Sequence, residues 1–161
     1  MNDVLQMIIN GLTYEGKVLH IIINYTLIML VIMPYLLFDN RAPSKESRAW
    51  LVCLAIAVIV QVAVWFAARA IGVSVVGVSL IWCMMMGYLL IGYLKGNLGR
   101  VGHGRVFVFV ALIACCVGIA YYMVAFPAVT TIAHLVAAGI GVGLFYLMRL
   151  VAMKKRVTRQ S

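Results

Sequence analysis

Acidic side chains are the scarcest chemical feature of this 161-residue sequence. There are four of them, Asp3, Glu15, Asp39 and Glu46, and all lie outside the long apolar runs. A site built within those runs would therefore have no carboxylate of its own. This argues against a serine–histidine–aspartate triad and against a paired-aspartate protease. The sequence also contains no His-Glu-x-x-His motif, which a zinc protease of that type requires.

Charge of either sign is rare as well. Charged residues make up 11% of the chain and hydrophobic residues 66%, with a mean hydropathy of +1.11. This composition indicates an all-α polytopic membrane protein rather than a soluble domain. About 20 apolar residues are needed to cross the hydrocarbon as a helix. Five runs meet that requirement, at about 18–38, 49–68, 74–94, 105–125 and 128–149.

The first 14 residues lack the basic start, apolar core and small-residue cleavage site of a signal peptide, so we expect the first span to act as the insertion signal. We assign 1–16 to an interfacial segment, 17–150 to the transmembrane core and 151–161 to a basic cytoplasmic tail. The four cysteines lack metal-ligand spacing, which favours buried thiols over disulfides or zinc.

The net charge of +9 is distributed unevenly along the chain. If the five spans alternate in direction, all basic residues except Lys17 and Arg69 fall on one side. The positive-inside rule then places the N-terminus outside and the C-terminus in the cytoplasm, with the lipid bilayer rather than nucleic acid as the partner. The residues on the cytoplasmic side would be Arg41, Lys45, Arg48, Lys95, Arg100, Arg105, Arg149, Lys154, Lys155, Arg156 and Arg159.

Polar residues in the outer half of two spans stand out. His20 and Asn24 are four residues apart in the first span and therefore share a helix face. Taken alone, they are readily interpreted as interhelical hydrogen-bonding groups that hold the bundle together. In the last span His134 is followed on the same face by small residues, which predicts close packing of the fifth helix against the third. These small residues are Ala137, Ala138 and Gly141.

Two other features receive a structural interpretation. Gln61, the strongly polar group of the second span, is interpreted as part of the scaffold. Tyr121 and Tyr122, near the end of the fourth span, are the kind of residue enriched at the membrane interface and are assigned to it.

Ser79 in the third span completes a set of polar residues that alternating topology brings to the outer half of the membrane. A serine beside a histidine is a candidate activated nucleophile, because the imidazole can take the hydroxyl proton and later return it. Ser79 and His134 are therefore the candidate catalytic pair. His20 and Asn24 would donate to the oxyanion, together with the backbone N–H of Ser79. Ser74 is the rival nucleophile.

With these residues in place, the sequence resembles the rhomboid family of intramembrane serine proteases. The resemblance covers about residues 13–149 and has three blocks. They are a His-x-x-x-Asn pair at His20 and Asn24, a Gly-x-Ser block at Gly77 and Ser79 with Gly87-Tyr88 downstream, and an Ala-His block at Ala133-His134. The sequence departs from the family pattern at Leu80, where the family has glycine, and at Cys83, where it has an aromatic residue packed on the histidine.

The resemblance implies a rhomboid-like helical bundle that cleaves the transmembrane helices of substrate proteins near their outer end. Ser79 would be the nucleophile and His134 the general base, while His20, Asn24 and Gly77 would bind the oxyanion and substrate. No metal or cofactor is implied, and the expected location is the cytoplasmic (inner) membrane. Two alternatives remain: an inactive rhomboid-like protein that binds membrane helices, and a small structural subunit of a membrane complex.

Overall fold

The computed structural model of the chain describes residues 18–38, 45–72, 78–95, 102–125 and 128–157. The predicted interfacial segment 1–16 lies outside the described residues, as do Ser74 and Gly77. The described part is entirely helical apart from short turns at the helix ends. Its helices are α1 Val18–Phe38, α2 Lys45–Ala70, α3 Ser79–Leu94, α4 Gly102–Ala125 and α5 Ala128–Val157.

Each of the five predicted spans coincides with one helix, but some ends differ. α2 begins at Lys45 rather than near residue 49, and α5 continues to Val157, past the predicted core boundary at 150. α3 begins at Ser79, which is the first residue of its helix and not a residue inside it. The predicted serine is therefore at a helix N-terminus.

Three of the helices are long and apolar enough to cross a membrane: Ala49–Ala70 of α2, Val106–Val124 of α4 and Ala128–Val151 of α5. The apolar helices His20–Met33 and Ser79–Leu94 are shorter. At about 1.5 Å per residue, the 16 residues of α3 span about 24 Å. The all-helical prediction is thus confirmed, and three of the five predicted spans are long and apolar enough to cross a membrane. Crossing by α1 and α3 stays a prediction.

α3 lies at the centre of the bundle. It packs against all four other helices and most extensively against α5. Nearly every residue from Ser79 to Leu89 is buried, whereas the other helices each bury one face and expose large apolar side chains on another. In a bilayer such exposed apolar faces contact lipid at no cost, because the lipid tails are themselves apolar. The central helix is consequently surrounded by protein, and the outer helices expose the apolar side chains.

Glycines bring α3 and α5 into backbone contact. A side chain at Gly87 would overlap the backbone carbonyl of Ala138, and one at Gly141 would overlap the backbone carbonyl of Met84. Only a residue without Cβ permits this approach from both sides. The predicted packing of the small-residue face of the fifth helix against the third is therefore confirmed, and it fixes how His134 is presented to the start of α3.

Candidate functional site

Buried polar side chains gather at one end of the bundle. This end comprises the first two turns of α1, α3 and α5 and the last turn of α4. The polar residues there are almost inaccessible, with His20 1%, Asn24 0% and His134 2% exposed. His20 and Asn24 come from α1 and His134 from α5, and the two helices bring them to the same end of the bundle, as the sequence predicted. The structure connects these residues through two aromatic side chains, Tyr122 and Trp82.

Asn24 lies at the centre of a hydrogen-bond network. Its Oδ1 accepts from the indole Nε1 of Trp82 at 2.8 Å and from the hydroxyl of Tyr122 at 3.0 Å. The Tyr122 oxygen is also 2.7 Å from Nε2 of His20. Gly118, one turn before Tyr122, leaves space for Leu27 and the indole, because a Cβ at that position would be 2.6 Å from Leu27 Cδ1 and 3.3 Å from the Trp82 ring. Four residues on three helices are thereby held in one arrangement.

The direction of every hydrogen bond in this network follows from the chemistry of its members. Tryptophan can only donate, so the Asn24 atom facing Trp82 is the carbonyl oxygen rather than the amide nitrogen. That oxygen can only accept, so Tyr122 must give it the hydroxyl proton. The hydroxyl has no second proton, and His20 therefore donates from Nε2 to the Tyr122 oxygen. The amide group of Asn24 remains pointed away from the network.

The side-chain amide nitrogen of Asn24 is a buried hydrogen-bond donor without a described acceptor. Nδ2 of Asn24 has no hydrogen-bond partner among the described residues. A buried amide without a partner costs on the order of 1–3 kcal/mol, so such a group in a native protein calls for a bound water or ligand. Two N–H bonds are available there to bind an oxygen atom, which is what an oxyanion site requires.

His134 presents the complementary group. Its Nδ1 bonds at 2.5 Å to the backbone carbonyl of Thr130, which can only accept, so Nδ1 carries the proton. In the neutral ring Nε2 then holds the lone pair, and this buried atom has no hydrogen-bond partner among the described residues. The hydroxyl of Thr131, three residues earlier on the same face of α5, is also buried with no described partner.

Two aromatic rings hold the imidazole of His134 in place. The Tyr122 ring centroid lies 4.2 Å away and the Trp82 centroid 6.0 Å away. Cys83, at the position where the family pattern has an aromatic residue, is fully buried and contributes no ring. His134 is thus packed against Tyr122 of α4 and against Trp82 of α3, the residue before Cys83.

Ser79 begins α3 at the same end of the bundle and is 7% exposed. No hydrogen bond joins its hydroxyl to Nε2 of His134, since that nitrogen has no partner in the described part of the chain. The residue before it, Val78, provides no side-chain cap. Instead, Oε1 of Gln61 on α2 accepts from the backbone N–H of Leu80 at 3.2 Å. Gln61 therefore caps the helix that carries the candidate nucleophile.

Sequence reasoning missed the roles of Gln61, Trp82 and Tyr122. The assignment of Tyr122 to the membrane interface is wrong, because the side chain is 1% exposed and hydrogen-bonded inside the bundle. The interpretation of Gln61 as simple scaffold is also incomplete, because it binds the backbone beside Ser79. One signal was present for Gln61, since an isolated amide in an apolar span needs a partner. Tyr122 and Trp82 gave none, as aromatic residues are common in membrane helices.

The chain has no match among protein-family descriptions, curated proteins or solved structures. The site must therefore be interpreted from its own chemistry. It holds a buried lone pair on His134 and buried N–H donors on Asn24, each without a described partner, at the end of the bundle where the Ser79 hydroxyl lies. Such a site is suited to a ligand that both donates and accepts hydrogen bonds.

Proposed function

We propose that this protein is an intramembrane serine protease of the rhomboid type, with Ser79 as nucleophile and His134 as general base. The supporting observation is the pair of buried groups without described partners, Nε2 of His134 and Nδ2 of Asn24. One is a base in the tautomer that accepts a proton and the other is a donor for an oxyanion. Neither group needs a carboxylate, which agrees with the absence of acidic residues from the apolar runs.

In the proposed reaction the Ser79 oxygen attacks the carbonyl carbon of the scissile peptide while His134 Nε2 takes its proton. The carbonyl oxygen becomes an oxyanion and accepts from Asn24 Nδ2 and from the backbone N–H of Ser79. His134 then gives the proton to the leaving amine, and the peptide bond breaks. Water, deprotonated by the same nitrogen, hydrolyses the acyl-enzyme and restores Ser79.

The substrate class follows from the location of the site. A peptide bond within a transmembrane helix is shielded by its hydrogen bonds, so the substrate must unwind locally before its carbonyl can be attacked. We therefore propose transmembrane proteins with helix-destabilising residues near the outer end of the span as substrates. The five-span topology, with the N-terminus outside and the site in the outer half of the cytoplasmic membrane, belongs to this proposal.

The absent hydrogen bond between Ser79 and His134 favours a second candidate, a rhomboid-like protein that binds membrane helices without cutting them. In that case the partnerless donor and acceptor would bind the backbone of a partly unwound helix. The protease remains our proposal, because catalytic hydrogen bonds are often long in resting enzymes and shorten when substrate binds.

The test is cleavage of a transmembrane test substrate in proteoliposomes, with products identified by mass spectrometry. The wild type should cleave near the outer end, and Ser79→Ala and His134→Ala should each reduce the rate on the order of 10⁴-fold or more. The matched control is Ser74→Ala, which removes the rival serine and should keep wild-type activity. Cleavage that persists in Ser79→Ala would refute the proposal, and binding without cleavage by the wild type would favour the second candidate.

A further inference from the structure

We propose that Tyr122 is the positioning residue of the site, and that it holds the oxyanion donor Asn24 and the base His134 in register. This inference rests on the proposed function and adds a residue to it. Tyr122 comes from α4, a helix that supplies none of the proposed reacting groups. Its side chain nevertheless contacts both halves of the site, with the hydroxyl on α1 and the ring against α5.

The hydroxyl determines which atom of Asn24 is left for a ligand. With Tyr122 and Trp82 both donating to Oδ1, the amide cannot rotate by 180° without placing N–H groups against two donors. Nδ2 is therefore held toward the space without a described partner. The same hydroxyl accepts from Nε2 of His20 and so fixes the tautomer of that ring. Loss of this hydroxyl would leave Trp82 as the one described donor that orients the amide, and it would release the His20 tautomer.

The ring acts on the other half of the site. Its centroid lies 4.2 Å from that of the His134 imidazole at an interplanar angle of 43°. With Nδ1 held by the Thr130 carbonyl, this contact restricts rotation of the imidazole and hence the direction of its Nε2 lone pair. The hydroxyl and the ring of one residue thus have separable tasks. Tyr122→Phe removes only the first, whereas Tyr122→Leu removes both.

The first measurement is ¹⁵N NMR of the detergent-solubilised full chain with labelled histidine, which reports the protonated nitrogen of each ring. Signals are assigned with His20→Asn, His103→Asn and His134→Asn variants. In the wild type His20 should be protonated at Nε2 and His134 at Nδ1. Tyr122→Phe should alter the His20 tautomer and leave that of His134 unchanged, while Tyr122→Leu should alter both signals. A His20 ring protonated only at Nδ1, or a His20 signal unchanged in Tyr122→Phe, would overturn the inference.

The second measurement is the cleavage rate of the same variants. A misplaced reacting group costs up to about 100-fold in rate, so Tyr122→Phe should lower kcat by on the order of 10-fold to 100-fold with KM nearly unchanged. Tyr146→Phe removes a hydroxyl from an exposed position near the other end of α5 and should behave as the wild type. Wild-type kcat in Tyr122→Phe would overturn the inference and leave the protease proposal intact. If the wild type does not cleave, the protease proposal fails and the tautomers alone decide the role of Tyr122.

Discussion

Gln61 provides a hydrogen-bond acceptor for a backbone N–H group at the buried start of α3. The first backbone N–H groups of a helix have no partner within it, and α3 begins in the protein interior, where water is scarce. Val78, which precedes the helix, cannot accept a hydrogen bond through its side chain. An amide reaching across from α2 to the N–H of Leu80 fills that role. The residue next to the candidate nucleophile is therefore held by a side chain from another helix.

Replacing Gln61 by leucine should leave the Leu80 N–H buried without an acceptor. The free energy of unfolding should fall by about 1–3 kcal/mol, the usual cost of a buried donor that loses its partner. Gln61→Glu, with both variants measured at an acidic pH where the carboxyl is neutral, keeps a carbonyl acceptor in the same place and is the matched control, with stability close to that of the wild type. Denaturation in mixed detergent micelles measures both. Equal losses in the two variants would show that the hydrogen bond to Leu80 is not what Gln61 contributes.

Asn24 Nδ2 and His134 Nε2, which have no described hydrogen-bond partner, form a complementary donor and acceptor. One is a donor and one an acceptor, and both belong to side chains whose remaining polar atoms are satisfied by a tyrosine, a tryptophan or a backbone carbonyl. Side chains present only to hold the bundle together would be expected to bond to one another. Polar groups that instead stay unpaired in a membrane protein interior are typically functional.

At the scale of single helices, the pairing of α3 with α5 determines the geometry of the site. Ser79 begins α3 and His134 lies in the second turn of α5, so any change in the distance between these two helices moves the two residues relative to each other. Gly87 and Gly141 set that spacing, since each lies against a backbone carbonyl of the opposite helix. This backbone contact between α3 and α5 lies deeper in the bundle than the polar site and sets the distance between the two helices that carry Ser79 and His134.

Substitution of these glycines should therefore be costly. Gly87→Ala and Gly141→Ala should each destabilise the protein by about 1–3 kcal/mol, because the new methyl group forces two packed backbones apart. The neighbouring Gly139 and Gly143 have nothing within 4 Å of an added Cβ. Gly139→Ala and Gly143→Ala are thus the matched controls and should lie within about 0.5 kcal/mol of the wild type, or be slightly more stable. Denaturation in micelles again gives the comparison, and equal effects at all four positions would contradict the packing.

The helices themselves were predictable because a membrane span requires a long apolar run, and such runs are easily recognised. His20, Asn24 and His134 were predictable for the converse reason, as polar residues inside those runs. Tyr122 and Trp82 were not, because their burial depends on which face of each helix meets its neighbours. The start of α3 at Ser79 was missed too, since Ser74 to Val78 continue the apolar run and only the fold decides where a helix begins within it.

At the scale of the whole molecule, burial varies across the bundle and charge varies along it. Across the bundle, polarity is concentrated in the interior around α3, and the outer helices present apolar side chains. Along the bundle, the sequence places most basic residues on one side of the predicted spans. The first pattern is typical of a helical bundle in lipid, and the second predicts the orientation.

The orientation can be tested with two reporter fusions in a bacterial host. A reporter joined after Ser161 should lie in the cytoplasm, where green fluorescent protein fluoresces and alkaline phosphatase is inactive. A reporter joined after Gly72, the turn that follows α2, should give the opposite result. The reverse pattern would place the site in the cytoplasmic half of the membrane, and the same compartment for both would contradict alternating spans.

The central claim is that Ser79 is a nucleophile activated by His134, and the most direct measurement is covalent labelling by a fluorophosphonate followed by mass spectrometry of the modified peptide. The wild type and Ser74→Ala should carry the adduct on Ser79, and His134→Ala should label at only a small fraction of the wild-type rate. An adduct on Ser74, equal labelling rates with and without His134, or no adduct in a wild type that retains its fold would contradict the claim.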